Sequence, residues 1–200
     1  MKNSYLRATV AALACVVGLS ACGGGNSAQL LLGGRIYGVT KDGLVLQNNG
    51  AHDYAPTAAT LAASAGQFYF PDLIGTDDAY NVTVKQVPSN VTQCTVTGGS
   101  GRSAFNVSSV AVVCELKTHA LKGTITIEGA GDAGGLVLVN GSDSKTIGPG
   151  KTDFQMDAVG EDVPYGITVL TNPPGKVCTV TNGTGTMGTT DVGNVLVNCK

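Results

Sequence analysis

From about residue 33 onward the sequence repeats itself. Tyr80-Asn-Val-Thr-Val84 returns as Tyr165-Gly-Ile-Thr-Val169, and Cys94-Thr-Val-Thr97 as Cys178-Thr-Val-Thr181. Val107–Cys114 (VSSVAVVC) returns as Val192–Cys199 (VGNVLVNC), Gly43-Leu-Val-Leu46 as Gly135-Leu-Val-Leu138, and Phe68 and Phe70 match Phe154 and Met156. The offset is 84 or 85 residues in the C-terminal half of the unit and 92 at the Leu-Val-Leu segment, so the first copy carries about seven extra residues after it. The chain is therefore expected to build two small modules, 33–116 and 117–200, each burying its own core.

Each copy reads as β. Tyr80, Val82 and Val84 alternate with polar residues, as do Val110, Val112 and Cys114, and Val195, Val197 and Cys199. A period of two marks half-buried strands. Asn48-Asn49-Gly50 and Asn140-Gly141 supply turn residues that tolerate positive φ, and Pro88, Pro173 and Pro174 punctuate the next connection. Six or seven short strands per copy with frequent turns predict an all-β chain of two tandem β-sandwiches.

The 6 cysteines divide by position. Cys15 falls in the N-terminal leader and Cys22 at its end, which leaves Cys94, Cys114, Cys178 and Cys199. An even number in an exported chain points to disulfides. Pairing Cys94 with Cys114 and Cys178 with Cys199 treats both copies alike, whereas a pairing across the modules breaks that equivalence.

The N-terminus reads as an address. Lys2 and Arg7 precede an apolar run, Ala8 to Leu19, that is too short to span a bilayer and suits a secretory signal. It ends in Leu19-Ser20-Ala21-Cys22, which resembles the lipobox of bacterial lipoproteins. The resemblance implies a signal peptide over 1–21, cleavage before Cys22, a diacylglycerol thioether on its sulfur and acylation of the new amino group. Residues 22–32 then form the lipidated cysteine and a tether, with Gly23-Gly24-Gly25-Asn26-Ser27 as its flexible part. Several acyl chains make attachment effectively permanent, so the membrane is an expected partner. In enterobacterial lipoproteins an Asp after the lipidated cysteine favours inner-membrane retention. Gly23 at that position favours the outer membrane in a Gram-negative host.

The repeat itself resembles a tandem module of exported bacterial proteins. Its pattern appears as Gly43–Gly50 (GLVLQNNG), Phe68-Tyr-Phe70, Tyr80–Val84, Cys94–Gly101 and Asn194–Cys199. Copy two departs at Val139, where the pattern has Gln, and copy one at Ser109, where it has Asn. The resemblance implies an Ig-like surface module and transfers no catalytic residue.

Other patterns lead to chemistry only superficially. The formal net charge of −2, with 13% charged residues, offers no basic surface for nucleic acid. Gly129–Gly134 matches G-x-G-x-x-G, and Gly150-Lys151-Thr152 resembles the end of a phosphate loop, but strand-like sequence follows each where a helix is required. Asp77 and Asp162 precede the strand tyrosines in equivalent loops, with too few acids for a calcium site. They read as side-chain-capped turns. His52 and His119 have no nucleophile motif beside them and read as surface loops. No catalytic residue, metal or cofactor is expected. The most individual segment is Ala51–Gln67, read as an expanded loop exposing Tyr54, with Tyr69 facing outward beyond it. These two tyrosines are the candidate contacts for a glycan or protein partner. The expected role is that of a non-enzymatic, lipid-anchored envelope module.

Overall fold

The computed structural model describes residues 29–200. The leader, Cys22 and the glycine tether lie outside the described residues. The first copy contains β1 (Leu32–Tyr37), β2 (Val45–Asn48), β3 (Ala51–Tyr54), α1 (Ala58–Ala63), β4 (Gln67–Tyr69), β5 (Ala79–Gln86), β6 (Val91–Thr97), β7 (Ser100–Arg102) and β8 (Val107–Leu116). The second contains β9 (Thr118–His119), β10 (Leu121–Ile127), β11 (Val137–Asn140), β12 (Asp143–Thr146), β13 (Asp153–Gln155), β14 (Val159–Gly160), β15 (Pro164–Thr171), β16 (Cys178–Thr181), β17 (Thr184–Thr186) and β18 (Val192–Cys199).

Each copy is an Ig-like sandwich of two four-stranded sheets. In the first the orders are β4-β1-β8-β6 and β3-β2-β5-β7; in the second they are β13-β10-β18-β16 and β12-β11-β15-β17. The two orders coincide strand for strand. The short arms β3, β7, β12 and β17 raise the strand number above the six or seven expected; they are three or four residues long and show no buried apolar alternation.

Within each sandwich the first and last strands run side by side and parallel, β1 with β8 and β10 with β18. The register slips at the same place in both, between Leu32 and Gly34 and between Leu121 and Gly123. Close approach requires glycine there. A Cβ on Gly34 would lie 1.7 Å from the Val110 carbonyl oxygen, and one on Gly123 would lie 2.4 Å from that of Val195.

Alternation along the strands fills two separate cores. Leu32, Leu44, Leu46, Phe68, Val110 and Val112 are central to the first; Leu121, Leu136, Leu138, Phe154, Val195 and Val197 occupy the same places in the second. Leu30 bridges Ile74 and Leu32 is fully buried, so the first sandwich takes in residues ahead of position 33. The hairpin turns use the residues read from sequence: Asn49 and Gly50 at φ 54° and 73°, and Gly141 at φ 59°. The cystines are Cys94–Cys114 and Cys178–Cys199. Each joins directly opposite residues on neighbouring antiparallel strands, β6 with β8 and β16 with β18.

Candidate functional site

Two regions gather polar side chains onto well-supported backbone: the insertion of the first sandwich and the junction between sandwiches.

The insertion is not a loop. Residues 51–54 form β3, paired to β2, and the extra length becomes helix α1. Thr57 caps the helix, its hydroxyl accepting from the Thr60 N–H at 3.1 Å, and Asp42 Oδ1 accepts from the Ala58 N–H at 2.7 Å. Leu61 is the helix's buried residue and plugs the core. Gly66 ends the excursion at φ 79°, where a Cβ would meet the Ile36 carbonyl oxygen at 2.3 Å.

Tyr54 is half-buried, not exposed as expected. Its ring stacks on Phe68 at 5.9 Å and tilts against Phe70 at 5.7 Å, and burial pushes its phenol pKa up. The aromatic pair outweighs solvent exposure because it closes the rim of the first core. Tyr69 is half-exposed on β4, its hydroxyl accepting from Gln67 Nε2 at 2.9 Å. The two tyrosines do not share one outward surface.

The outer side of β3 carries polar side-chain contacts instead. His52 Nδ1 lies 2.9 Å from Asp72 Oδ2. Asp53 accepts from Lys85 Nζ at 2.6 Å and Gln47 Nε2 at 2.7 Å. The Lys85 hydrogen bond, then that of Gln47, holds the Asp53 carboxyl below its ordinary value. Its stabilising contribution is therefore present above the ordinary carboxylate pKa and fades as pH falls through the lowered one. Replacing Lys85 by Met is expected to raise the Asp53 midpoint toward the ordinary range, as read by carboxyl-carbon NMR titration. An unmoved midpoint counts against the pairing.

The junction was not legible in sequence. His119 lies on β9, half-buried, with Nε2 2.9 Å from Glu161 Oε1 and Nδ1 3.9 Å from Asp191 Oδ1. It is a paired strand residue, where a surface loop was expected. Glu161 is buried. Asp191 accepts from the Ala120 N–H at 2.9 Å, and that bond first, with Lys122 after it, lowers its pKa. Asn90, fully buried, donates through Nδ2 to Thr40 Oγ1 at 2.8 Å and across the junction to Asp162 Oδ2 at 2.9 Å. The Lys117 N–H donates to the Asn90 carbonyl at 2.9 Å, and the Glu161 N–H to the Lys117 carbonyl at 2.8 Å. Asp77 and Asp162 take the same left-handed backbone, φ 65° and 62°, and their N–H groups donate to the carbonyls of Ser103 and Met187. This polar chain fastens the linking strand to both sandwiches. His119 meets carboxylates and no hydroxyl, so its geometry is that of an anchored pair.

A shallow groove of about 600 Å³ flanks the β11–β12 hairpin, between Asn140, Asp143, Asp157 and Tyr165. Lys145 already occupies its carboxylates, 3.3 Å from Asp143 and 2.7 Å from Asp157. The stretch Gly129–Gly134 runs into β11, and Gly150–Thr152 runs into β13; neither opens a helix. Among the described residues no group of three or more His, Cys, Asp or Glu converges on a metal position.

No family model matches the chain, and no curated protein matches it. Solved structures resemble it at low identity, among them the following three. Two B repeat units of the collagen-binding protein of Staphylococcus aureus align at 13% identity and a TM-score of 0.31, over 87% of this chain and 50% of that one, so the match spans half the length of that structure. The major pilin protein T3.2 of Streptococcus pyogenes aligns at 10% identity and a TM-score of 0.33, over 87% of this chain and 98% of that one. The major pilin protein T-13 of the same species aligns at 13% and 0.27, over 87% and 97%.

Proposed function

We propose that this protein is a non-enzymatic structural and interaction module of the bacterial cell envelope, lipid-anchored through Cys22. The observation that carries the reading is what the two copies have in common. The features that recur are core residues, turn residues, the close-approach glycines and one cystine each. Duplication has preserved a stable unit. Cystines within each unit suit an oxidising compartment outside the cytoplasm, in keeping with the leader and lipobox in the sequence. With Gly23 after the cysteine, the outer membrane is the proposed location in a Gram-negative host.

A second reading places recognition of an envelope glycan or protein at 51–67. It is favoured by one observation: helix α1 with its cap and core plug belongs to the first copy alone. Tyr69 and the His52–Asp72 pair would then make the contacts.

The anchor is tested on protein purified from its native membranes. The N-terminal peptide is expected to begin at Cys22 and carry the diacylglyceryl and acyl masses, and Cys22→Ser to move the protein to the soluble fraction. An unmodified terminus upstream of residue 22 overturns the reading.

A further inference from the structure

Three large apolar side chains stand exposed where the chain enters the first sandwich: Leu31 at 37%, Leu73 at 44% and Phe105 at 81%. The topology brings them together. Leu30 and Ile74 are bridge partners turned toward the core, so Leu31 and Leu73, one step along on either side, are opposed on the outer face. The Val107 N–H donates to the Leu31 carbonyl at 2.8 Å, and the Leu31 N–H to Asn106 Oδ1 at 2.9 Å. Phe105 is the next residue. Because β8 runs parallel to β1, its beginning lies at the same end as the beginning of β1.

The second copy supplies an internal control. There the Val192 N–H donates to the Ala120 carbonyl, and the Ala120 N–H to Asp191 Oδ1, and Val159 pairs with His119 as Ile74 pairs with Leu30. These matches align Leu31 with Ala120, Leu73 with Ala158 and Phe105 with Thr190. The same end of the second sandwich meets the first, where a Cβ on Gly160 would lie 2.9 Å from Leu116 Cδ1. Large apolar groups are thus present at the free entry end and small ones at the internal one. Single exposed apolar residues need no explanation, whereas a cluster confined to one of two duplicated sites does.

We propose that this entry end rests on the lipid bilayer, with Phe105, Leu73 and Leu31 in its interfacial region. The inference rests on the proposed anchor at Cys22. Leu31 lies nine positions after Cys22, a reach of about 30 Å at full extension, so the apolar end is held near the membrane that the acyl chains occupy. Aromatic and leucine side chains partition into that boundary. β8 carries the chain to Leu116 at the opposite end, which turns the second sandwich away from the surface.

The chain has no Trp, so Phe105→Trp introduces a lone indole, whose emission can be excited apart from that of the tyrosines. Val177→Trp, 67% exposed and paired through its backbone to Lys200 beyond the end of β18, is the distal control. The acylated full-length variants are reconstituted in phosphatidylcholine vesicles containing lipid brominated near the headgroup end of its chains. The indole of Phe105→Trp is expected to shift to the blue and lose emission to bromine, and that of Val177→Trp to do neither. Adding Leu31→Asp and Leu73→Asp to Phe105→Trp is expected to abolish the quenching while the protein still floats with vesicles. Flotation with an unquenched Phe105→Trp indole overturns this inference and leaves the anchor standing. Failure to float, with no acyl mass on Cys22, overturns the anchor and the inference together.

Discussion

Replacing Cys178 by Ser is expected to lower the melting temperature of the second sandwich by about 15 °C. The Cys178–Cys199 bridge spans 21 residues, and closing a loop of that length removes about 3 kcal/mol of unfolded-chain entropy. A sandwich of this size has little stability to spare. Both sulfurs are buried, and β18 is flanked by β10 and β16 in the middle of its sheet. A lone thiol and a serine hydroxyl left there add the cost of unsatisfied polar burial. Cys94→Ser is expected to act in the same direction on the first sandwich, where Cys94 is only half-buried. Calorimetry of wild type with and without strong reductant reads both effects, and an unchanged transition under reduction contradicts them.

The second large effect is expected at Gly34 and Gly123. Alanine at Gly34 would place its methyl 1.7 Å from the Val110 carbonyl oxygen, and β8, paired to β1 on one side and β6 on the other, leaves that oxygen nowhere to go. Strands β1 and β8 must part locally, at a cost of about 3 kcal/mol. Gly123→Ala is expected to cost less, since the clash with Val195 is at 2.4 Å and the other close atoms belong to the Phe154 side chain. Gly50→Ala is the comparison for turn strain without crowding, because nothing lies within 4 Å of that site. Urea titration of the three variants orders them; equal midpoints for Gly34→Ala and wild type would contradict the close-approach argument.

The duplicated strands were legible because their alternation is local and occurs twice. The cystines followed from the same equivalence. The close-approach glycines were also within reach: Leu32-Gly33-Gly34-Arg35-Ile36 and Leu121-Lys122-Gly123-Thr124-Ile125 share Leu-x-Gly-x-Ile, a weaker echo than the Cys and Tyr segments. Helix α1 had a signal too, in Thr57 ahead of Ala-Ala-Thr-Leu-Ala-Ala and Gly66 beyond it. Six residues form too short a stretch for helical period to outweigh the turn-rich surroundings. Tyr54 was misplaced because its partners, Phe68 and Phe70, belong to another sheet edge. The junction was beyond local reading altogether. His119 and Glu161 are 42 residues apart, and Asn90 and Asp162 are 72 apart; no periodicity connects them.

The parallel adjacency of first and last strands has a mechanical consequence. A pull on the chain ahead of β1 and on the second sandwich enters the first sandwich through β1 and leaves through β8. Neighbouring parallel strands drawn from opposite ends are loaded in shear, so their hydrogen bonds resist together and are not unzipped one by one. The Cys94–Cys114 link then caps how much of that sandwich can be drawn out, since the 20-residue span it closes stays folded in length even after rupture.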